Sequence, residues 1–358
     1  MFVQVIFARI LSDESLIRIL SRMRARIAKS RSNKEFLNRL CQAKVDVRSN
    51  TSENICKLLP PRKVWQKYRI KERDGKNSLD LNARAIEKAT HSRLRNPMGS
   101  DATWIGNLHD FTVRIRNRAL NTPDFRFHTP AVRPDPKGID GNHRAIAIYR
   151  FEDRIISTLL TRYLRERFDG QLSHCSYAFR EPKDGRCTSH HDAIDDIYSF
   201  RGRHPEGSLW VAECDIRGFY DCIHHDVVRR AFSEFVSRAA QAGKPVESKA
   251  KELFEAYLQS YTFSRNVMRE ALPRLQSRSP NATIGWPLGA LCEFYSNPMD
   301  EPIGIPQGGA VSCLIANMVL NQVDIAAMPW KSSDRSRLLY ARYCDDMILI
   351  SPEKGLNR

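Results

Sequence analysis

An α+β fold, with an antiparallel sheet packed on helices, is predicted from three observations. Long segments repeat apolar residues at helical spacing, as in 151–168 and 310–328. A short apolar strand, Ser208 to Cys214, runs into Asp215. Two further apolar strands fill Leu338 to Ile350, with Cys344-Asp345-Asp346 at their join.

Taken in order, residues 13–40 read as an amphipathic helix. Leu16, Leu20, Met23 and Ile27 share one face, and the others carry Arg18, Arg22, Arg24, Arg26, Lys29, Arg31, Lys34 and Arg39. That basic face is either a solvated flank or a grip on RNA. Residues 60–100 are polar and weakly periodic, punctuated by Pro60-Pro61 and Asn96-Pro97. Phe125 to Arg133 and His143 to Tyr149 read as two strands around a turn-rich stretch, Pro134 to Asn142. Residues 151–168 read as a helix whose buried face is Ile155, Ile156, Leu159, Leu160 and Leu164. Residues 225–262 read as largely helical. Residues 263–303 read as irregular because five prolines interrupt them, and 310–328 read as an apolar helix of small and aliphatic side chains.

The 358 residues suffice for two or three packed units, and 42 % hydrophobic with 27 % charged residues excludes wholesale disorder. The charge is unusual. Lys+Arg number 57 against 41 Asp+Glu, a formal +16, with a pI near 9.6. Such a balance favours a polyanion partner, since phosphate contacts release counterions. The nine cysteines form no CxxC pair and have no His at zinc-finger spacing. They read as buried thiols in a reducing cytoplasm. Met1 to Leu11 is apolar but carries Arg9 and lacks a basic leader and cleavage site, so a signal peptide is not expected. No apolar run approaches membrane-spanning length, and no membrane partner is expected.

The chemistry centres on acids. Two adjacent carboxylates, Asp345 and Asp346, sit awkwardly between apolar strands. Alone they are as readily a tight turn, and bound cations would make the like charges tolerable. Asp215 at the end of another apolar strand completes a set able to hold two Mg²⁺ ions roughly 4 Å apart. Gly304-Ile305-Pro306-Gln307-Gly308-Gly309 lies between the two acid motifs. Its Pro and glycines let backbone come close to a flat substrate. By itself the run reads as a loop.

Six ordered motifs over residues 130–350 resemble the reverse-transcriptase core, in the bacterial branch that holds group II intron enzymes, retrons and defence-associated reverse transcriptases. Phe219-Tyr220-Asp221 after Asp215 resembles motif A. Ile305 to Gly309 with Ser312 and Asn317 resembles motif B, and Arg342-Tyr343-Cys344-Asp345-Asp346 resembles motif C. Upstream, Arg144 to Ile148 followed by Asp153-Arg154-Ile155, then Ser176 to Arg180 followed by His191 to Ile194, resemble the fingers motifs. Cys344 departs from the Ala or other small residue commonest before the acid pair, and the stretch between Asp226 and Pro302 resembles no motif that can be assigned.

The resemblance implies a right-hand polymerase fold. A basic helical N-terminal region (1–110) precedes fingers (111–205) and a palm (206–358) whose antiparallel sheet packs on helices. The chain stops eight residues after Ile350. The thumb is therefore expected from a missing C-terminal segment or a second chain. The resemblance further implies that Asp215, Asp345 and Asp346 are the metal ligands and catalytic acids. Arg144 and the fingertip Lys137 would grip the triphosphate, and Gln307 would touch the incoming nucleotide. Tyr220 would be the gate under the sugar that leaves no room for a 2′-hydroxyl. The implied activity is an RNA-directed DNA polymerase that joins dNTPs into cDNA on a structured, non-coding template RNA in the cytoplasm. Arg22, Arg24, Arg26 and Lys29 are the candidate RNA contacts outside the palm. The compact core with Tyr343-Cys344-Asp345-Asp346 resembles enzymes of bacterial anti-phage defence. The competing readings are a non-catalytic RNA-binding protein of the same fold and a splicing maturase. Metal-dependent primer extension separates the first reading from the other two.

Overall fold

The computed structural model describes residues 7–29, 52–69, 78–138, 141–182, 188–327 and 338–353. Its principal elements are, in order, α1 (Asp13–Lys29), α2 (Ser78–Arg95), α3 (Ala102–Arg116), β1 (Ala131–Pro136), β2 (Asn142–Ile148), α4 (Phe151–Phe168), α5 (His190–Gly202), β3 (Trp210–Cys214), α6 (His225–Gln241), α7 (Ser248–Gln259), β4 (Thr283–Ile284), α8 (Ser312–Ala327), β5 (Leu339–Tyr343) and β6 (Asp346–Ser351). The architecture is mixed α+β, with small sheets and many helices. The chain divides into two compact units. One comprises Met1–Arg133, Ile148–Leu159 and Glu247–Ser260; the other comprises Pro134–Ala147, Leu160–Val246 and Tyr261–Arg358.

The first unit is built on α1 and α2. Asp13 and Glu14 in the first turn of α1 oppose its macrodipole. Leu16, Ile17 and Leu20 are buried, and burying each such side chain stabilises by about 1.5–3 kcal/mol. The predicted helix over 13–40 is seen to Lys29; Arg31, Lys34 and Arg39 lie outside the described residues. The polar stretch before residue 100 contains α2, which the hydrophobic pattern misses. Its buried face is Leu81, Asn82, Ala83, Ala85, Ile86, Ala89 and Thr90, largely small or polar side chains. Phe125 and Phe127 precede the first strand of the predicted pair, which begins only at Ala131. Their rings join Tyr149 and Tyr257 in a cluster with centroids 4.9–6.2 Å apart. Asp153, fully buried, accepts from Arg118 at 2.5 Å and from the His128 backbone at 3.1 Å.

The second unit holds most of the two sheets. One has the order β1-β2-β4, with β2 parallel to β4 through Asn142↔Thr283 and His143↔Ile284. The other is antiparallel in the order β3-β6-β5. Cys214 pairs with Met347, and Tyr343 pairs with Asp346. Helix α8 packs against α6 and buries Leu314, Ile315, Met318 and Leu320, together with Asn317, Asn321 and Asp324. The stretch predicted as irregular, 263–303, is more ordered than its prolines suggest. It contains a π-helical turn over Ser264–Ala271, a helical turn over Leu272–Gln276 and strand β4. Pro273 is tolerated because it lies in a helix's first turn, where no backbone donor is lost.

Candidate active site

The antiparallel register of β3, β6 and β5 decides which acids meet. β3 ends one residue before Asp215, and Cys214 lies opposite Met347, the second residue of β6. Asp215 is thereby carried to the end of the sheet where β5 turns into β6 through Cys344 and Asp345. Burial pushes the Asp345 carboxyl above its usual range, and the charges of Asp346 and Asp215 push it further. The three acids thus share one electrostatic environment. Asp215 and Asp346 line a cavity of about 560 Å³ with Glu213, Tyr343, Met347 and Ile348.

The turn is held from below. Cys344 has φ 65°, the left-handed region, which costs a non-glycine residue roughly 1–2 kcal/mol. Two hydrogen bonds offset that strain. Arg342 Nη1 donates to the Cys344 carbonyl at 2.8 Å, and the Tyr220 hydroxyl meets Cys344 Sγ at 3.1 Å. Arg342 is itself wholly buried. Nε and Nη2 donate to the two oxygens of Asp324 at 2.8 and 2.7 Å, and Tyr340 donates to the same carboxylate at 2.9 Å. Arg342 Nη1 also donates to Asn317 Oδ1 at 3.1 Å, and Asn317 Nδ2 donates to the Ala178 carbonyl at 2.8 Å. A two-pronged pair such as Arg342–Asp324 fixes geometry as well as charge. The sequence did carry its signal: Asp324 is the one charged residue on the helix Ser312–Ala327.

Tyr220 is half-buried, packed edge-on against Phe219 with ring centroids 5.4 Å apart. Burial, and then the Cys344 contact, raise its hydroxyl pKa well above the ordinary tyrosine value. The loop carrying Gln307 is stitched to the same turn. Ile305 N donates to the Tyr220 carbonyl at 2.7 Å and Gly304 N to the Ile223 carbonyl at 2.8 Å. At Gly304 (φ +95°) a Cβ would lie 2.8 Å from Phe263 Cβ, so only glycine fits that approach. Ala147 N of β2 donates to the Gln307 carbonyl at 2.9 Å. Gln307 Nε2 donates to both oxygens of Asp221, at 2.9 and 3.0 Å. Burial pushes the Asp221 carboxyl up to about 6, with the Gln307 hydrogen bond and then the Lys137 charge pulling the other way. Sequence reasoning assigned no role to Asp221, Asp324 or Trp286, whose Nε1 donates to the Asp221 carbonyl at 3.0 Å.

Lys137 and Arg144 are exposed. Lys137 follows β1, near enough to Asp221 for its charge to be felt. Arg144 lies on β2, two residues before the Ile146 that bridges to Gln307. Arg22 and Arg26 are exposed on α1, Arg24 is half-buried, and Lys29 ends that helix. These four belong to the first unit and the acids to the second.

The donor set suits Mg²⁺, a hard cation that prefers oxygen ligands. Among the described residues no three His, Cys, Asp or Glu side chains enclose an ion by themselves. Mg²⁺ usually takes one or two carboxylates and completes its shell with water and substrate phosphate oxygens. No helix among the described residues is long and apolar enough to cross a membrane.

No protein-family model matches the chain. It is 22 % identical over 239 residues to a COX1/OXI3 intron 1 protein of Saccharomyces cerevisiae, a match that covers 65 % of this chain. The match spans only 23 % of that relative's length. Among solved structures, apo telomerase of Candida tropicalis truncated from its C-terminal domain superposes with a TM-score of 0.36 at 12 % identity, over 77 % of this chain and 58 % of that one. Telomerase of Candida albicans in complex with a TWJ fragment of telomeric RNA superposes with a TM-score of 0.37 at 11 % identity, over 98 % of this chain and 61 % of that one.

Proposed function

We propose that the chain is the fingers and palm of a reverse transcriptase, an RNA-directed DNA polymerase that joins dNTPs into cDNA on a structured RNA. The observation that carries this reading is the convergence of Asp215, Asp345 and Asp346 at one end of the β3-β6-β5 sheet, with Tyr220 packed against the Cys344 turn beside them. The three carboxylates would hold two Mg²⁺ ions. When bound, such ions acidify a primer 3′-hydroxyl and neutralise the triphosphate and leaving pyrophosphate.

The chain's own residues do the rest. Asp345, whose charge is already disfavoured by burial and by its two acidic neighbours, gains most from a cation and so ties metal affinity to an ionised site. Tyr220 is held by Cys344 and presents a fixed ring edge beneath the sugar, which excludes a 2′-hydroxyl. Gln307 contacts the incoming nucleotide from the loop stitched to the Tyr220 turn. Arg144 and Lys137, both exposed, approach the triphosphate; an arginine offers parallel hydrogen bonds to phosphate oxygens, and a lysine a point charge. The formal +16 supplies attraction for the nucleic acid as a whole. The compact core with its Cys-Asp-Asp turn favours a role in bacterial anti-phage defence on a non-coding RNA template. Similarity to an intron protein favours a second reading, a maturase-like RNA binder.

Primer extension on an RNA template separates the two readings. The wild type should extend with dNTPs only when Mg²⁺ is present, and should discriminate strongly against rNTPs. Tyr220→Ala should accept rNTPs at least tenfold better relative to dNTPs. An unchanged preference would place the gate elsewhere. RNA binding without any extension would favour the maturase-like reading.

A further inference from the structure

The geometry points to Asp221 as a positioning residue: it fixes the Gln307 amide with its nitrogen inward and its carbonyl oxygen outward, so that Gln307 meets the incoming nucleotide as a hydrogen-bond acceptor. This rests on the reading of Gln307 as a nucleotide contact.

An ionised carboxylate is acceptor-only. Asp221 takes Gln307 Nε2 between its two oxygens at 2.9 and 3.0 Å. Flipping the amide would face Oε1 against both oxygens in a site where Asp221 is only 9 % exposed. An unpaired contact between acceptors there is costly. The two main chains cannot drift apart to relieve it. Ile305 N holds the Tyr220 carbonyl at 2.7 Å, Ala147 N holds the Gln307 carbonyl at 2.9 Å, and Trp286 Nε1 holds the Asp221 carbonyl at 3.0 Å. Only the side chains are free to respond. The ionised Asp221 therefore commits the nitrogen of Gln307 and leaves its oxygen for substrate.

The arrangement changes when Asp221 takes a proton. A carboxylic acid is both donor and acceptor, and it can face either end of an amide. The lock on Gln307 is then released. Among the described residues, two other titratable groups feel this carboxylate. The Lys137 ammonium favours its ionised form. The Cys222 thiol, pushed up to about 11 by burial and by Asp221, stays neutral near pH 7. With the Asp221 carboxyl pushed up to about 6, the lock engages within a range that an assay can span.

Two measurements on the full chain test this. The first needs no activity. With side-chain ¹⁵N-labelled glutamine, the Gln307 amide signal is assigned by its absence in Gln307→Leu. It should shift with a midpoint near pH 6 in the wild type and stay flat in Asp221→Asn. A flat signal in the wild type, or the same midpoint in Asp221→Asn, overturns the proposal. The second is the KM for dNTP against pH. In the wild type it should rise about twofold as pH falls through the midpoint and then level off, because about half of the released amides still present their oxygen, while Asp221→Asn, whose amide also faces either way, should show a raised KM with no inflection. A wild-type KM that ignores the amide transition overturns the acceptor role. If the amide titrates but no variant or wild type extends a primer, the Asp221–Gln307 lock stands and the polymerase reading falls.

Discussion

Asp221 carries a cost that its surroundings only partly offset. Its carboxyl is held at about 6 against an ordinary 3.8, because burial outweighs the Gln307 hydrogen bond and the Lys137 charge. The native chain therefore binds more protons than the unfolded chain between about pH 4 and 6. Stability from this group is complete below that window and is lost as pH rises through it. Asp221→Asn removes the buried charge yet keeps an oxygen for Gln307 Nε2. It should raise stability by on the order of 3 kcal/mol at pH 8 and by almost nothing at pH 4. Denaturant melts of both proteins at the two pH values check this, and an equal gain at both would show that the charge is not the cause.

At the scale of elements, the β5–β6 hairpin depends on a helix that contributes no acid to the cavity. Asp324 of α8 anchors Arg342, and Arg342 holds the carbonyl of the strained Cys344. Both members of the pair are fully buried. Removing one leaves the other unpaired and should cost about 3–5 kcal/mol. Arg342→Met or Asp324→Leu should each reach that range, while the double substitution should be far less destabilised than the two singles summed. An additive double mutant, read from urea melts, would mean that the pair is not the unit. The same contrast explains what the sequence made legible. Helix α4 and strands β3, β5 and β6 announce themselves because apolar residues alternate or repeat along them. The acids stand out by interrupting that pattern. Helix α2 does not, because its buried face is largely Ala, Asn and Thr. The parallel pairing of β2 with the two-residue β4, and the Asp221–Gln307 contact across 86 positions, join segments whose local sequence says nothing about each other.

Across the whole molecule, basic side chains outnumber acidic ones, 57 to 41. Arg22 and Arg26 are exposed on α1, in the unit that does not contain the candidate acids. If α1 grips RNA, charge reversal at Arg22, Arg24, Arg26 and Lys29 should weaken RNA affinity and flatten its salt dependence. The slope of log K against log salt should fall by somewhat under one unit for each phosphate that α1 no longer neutralises. Extension of a short, saturating primer-template should change little. Affinities at several salt concentrations decide the matter; coincident slopes would make α1 a solvated flank and move the RNA-binding surface elsewhere. If the molecule is organised around a metal-dependent nucleotide-joining site, primer extension with Asp345→Ala/Asp346→Ala beside the wild type reads it out. Folding is checked by circular dichroism and RNA binding by titration. Extension should fall at least a hundredfold below wild type, with fold and RNA affinity retained. Polymerisation at more than a few per cent of the wild-type rate by that double mutant would contradict it.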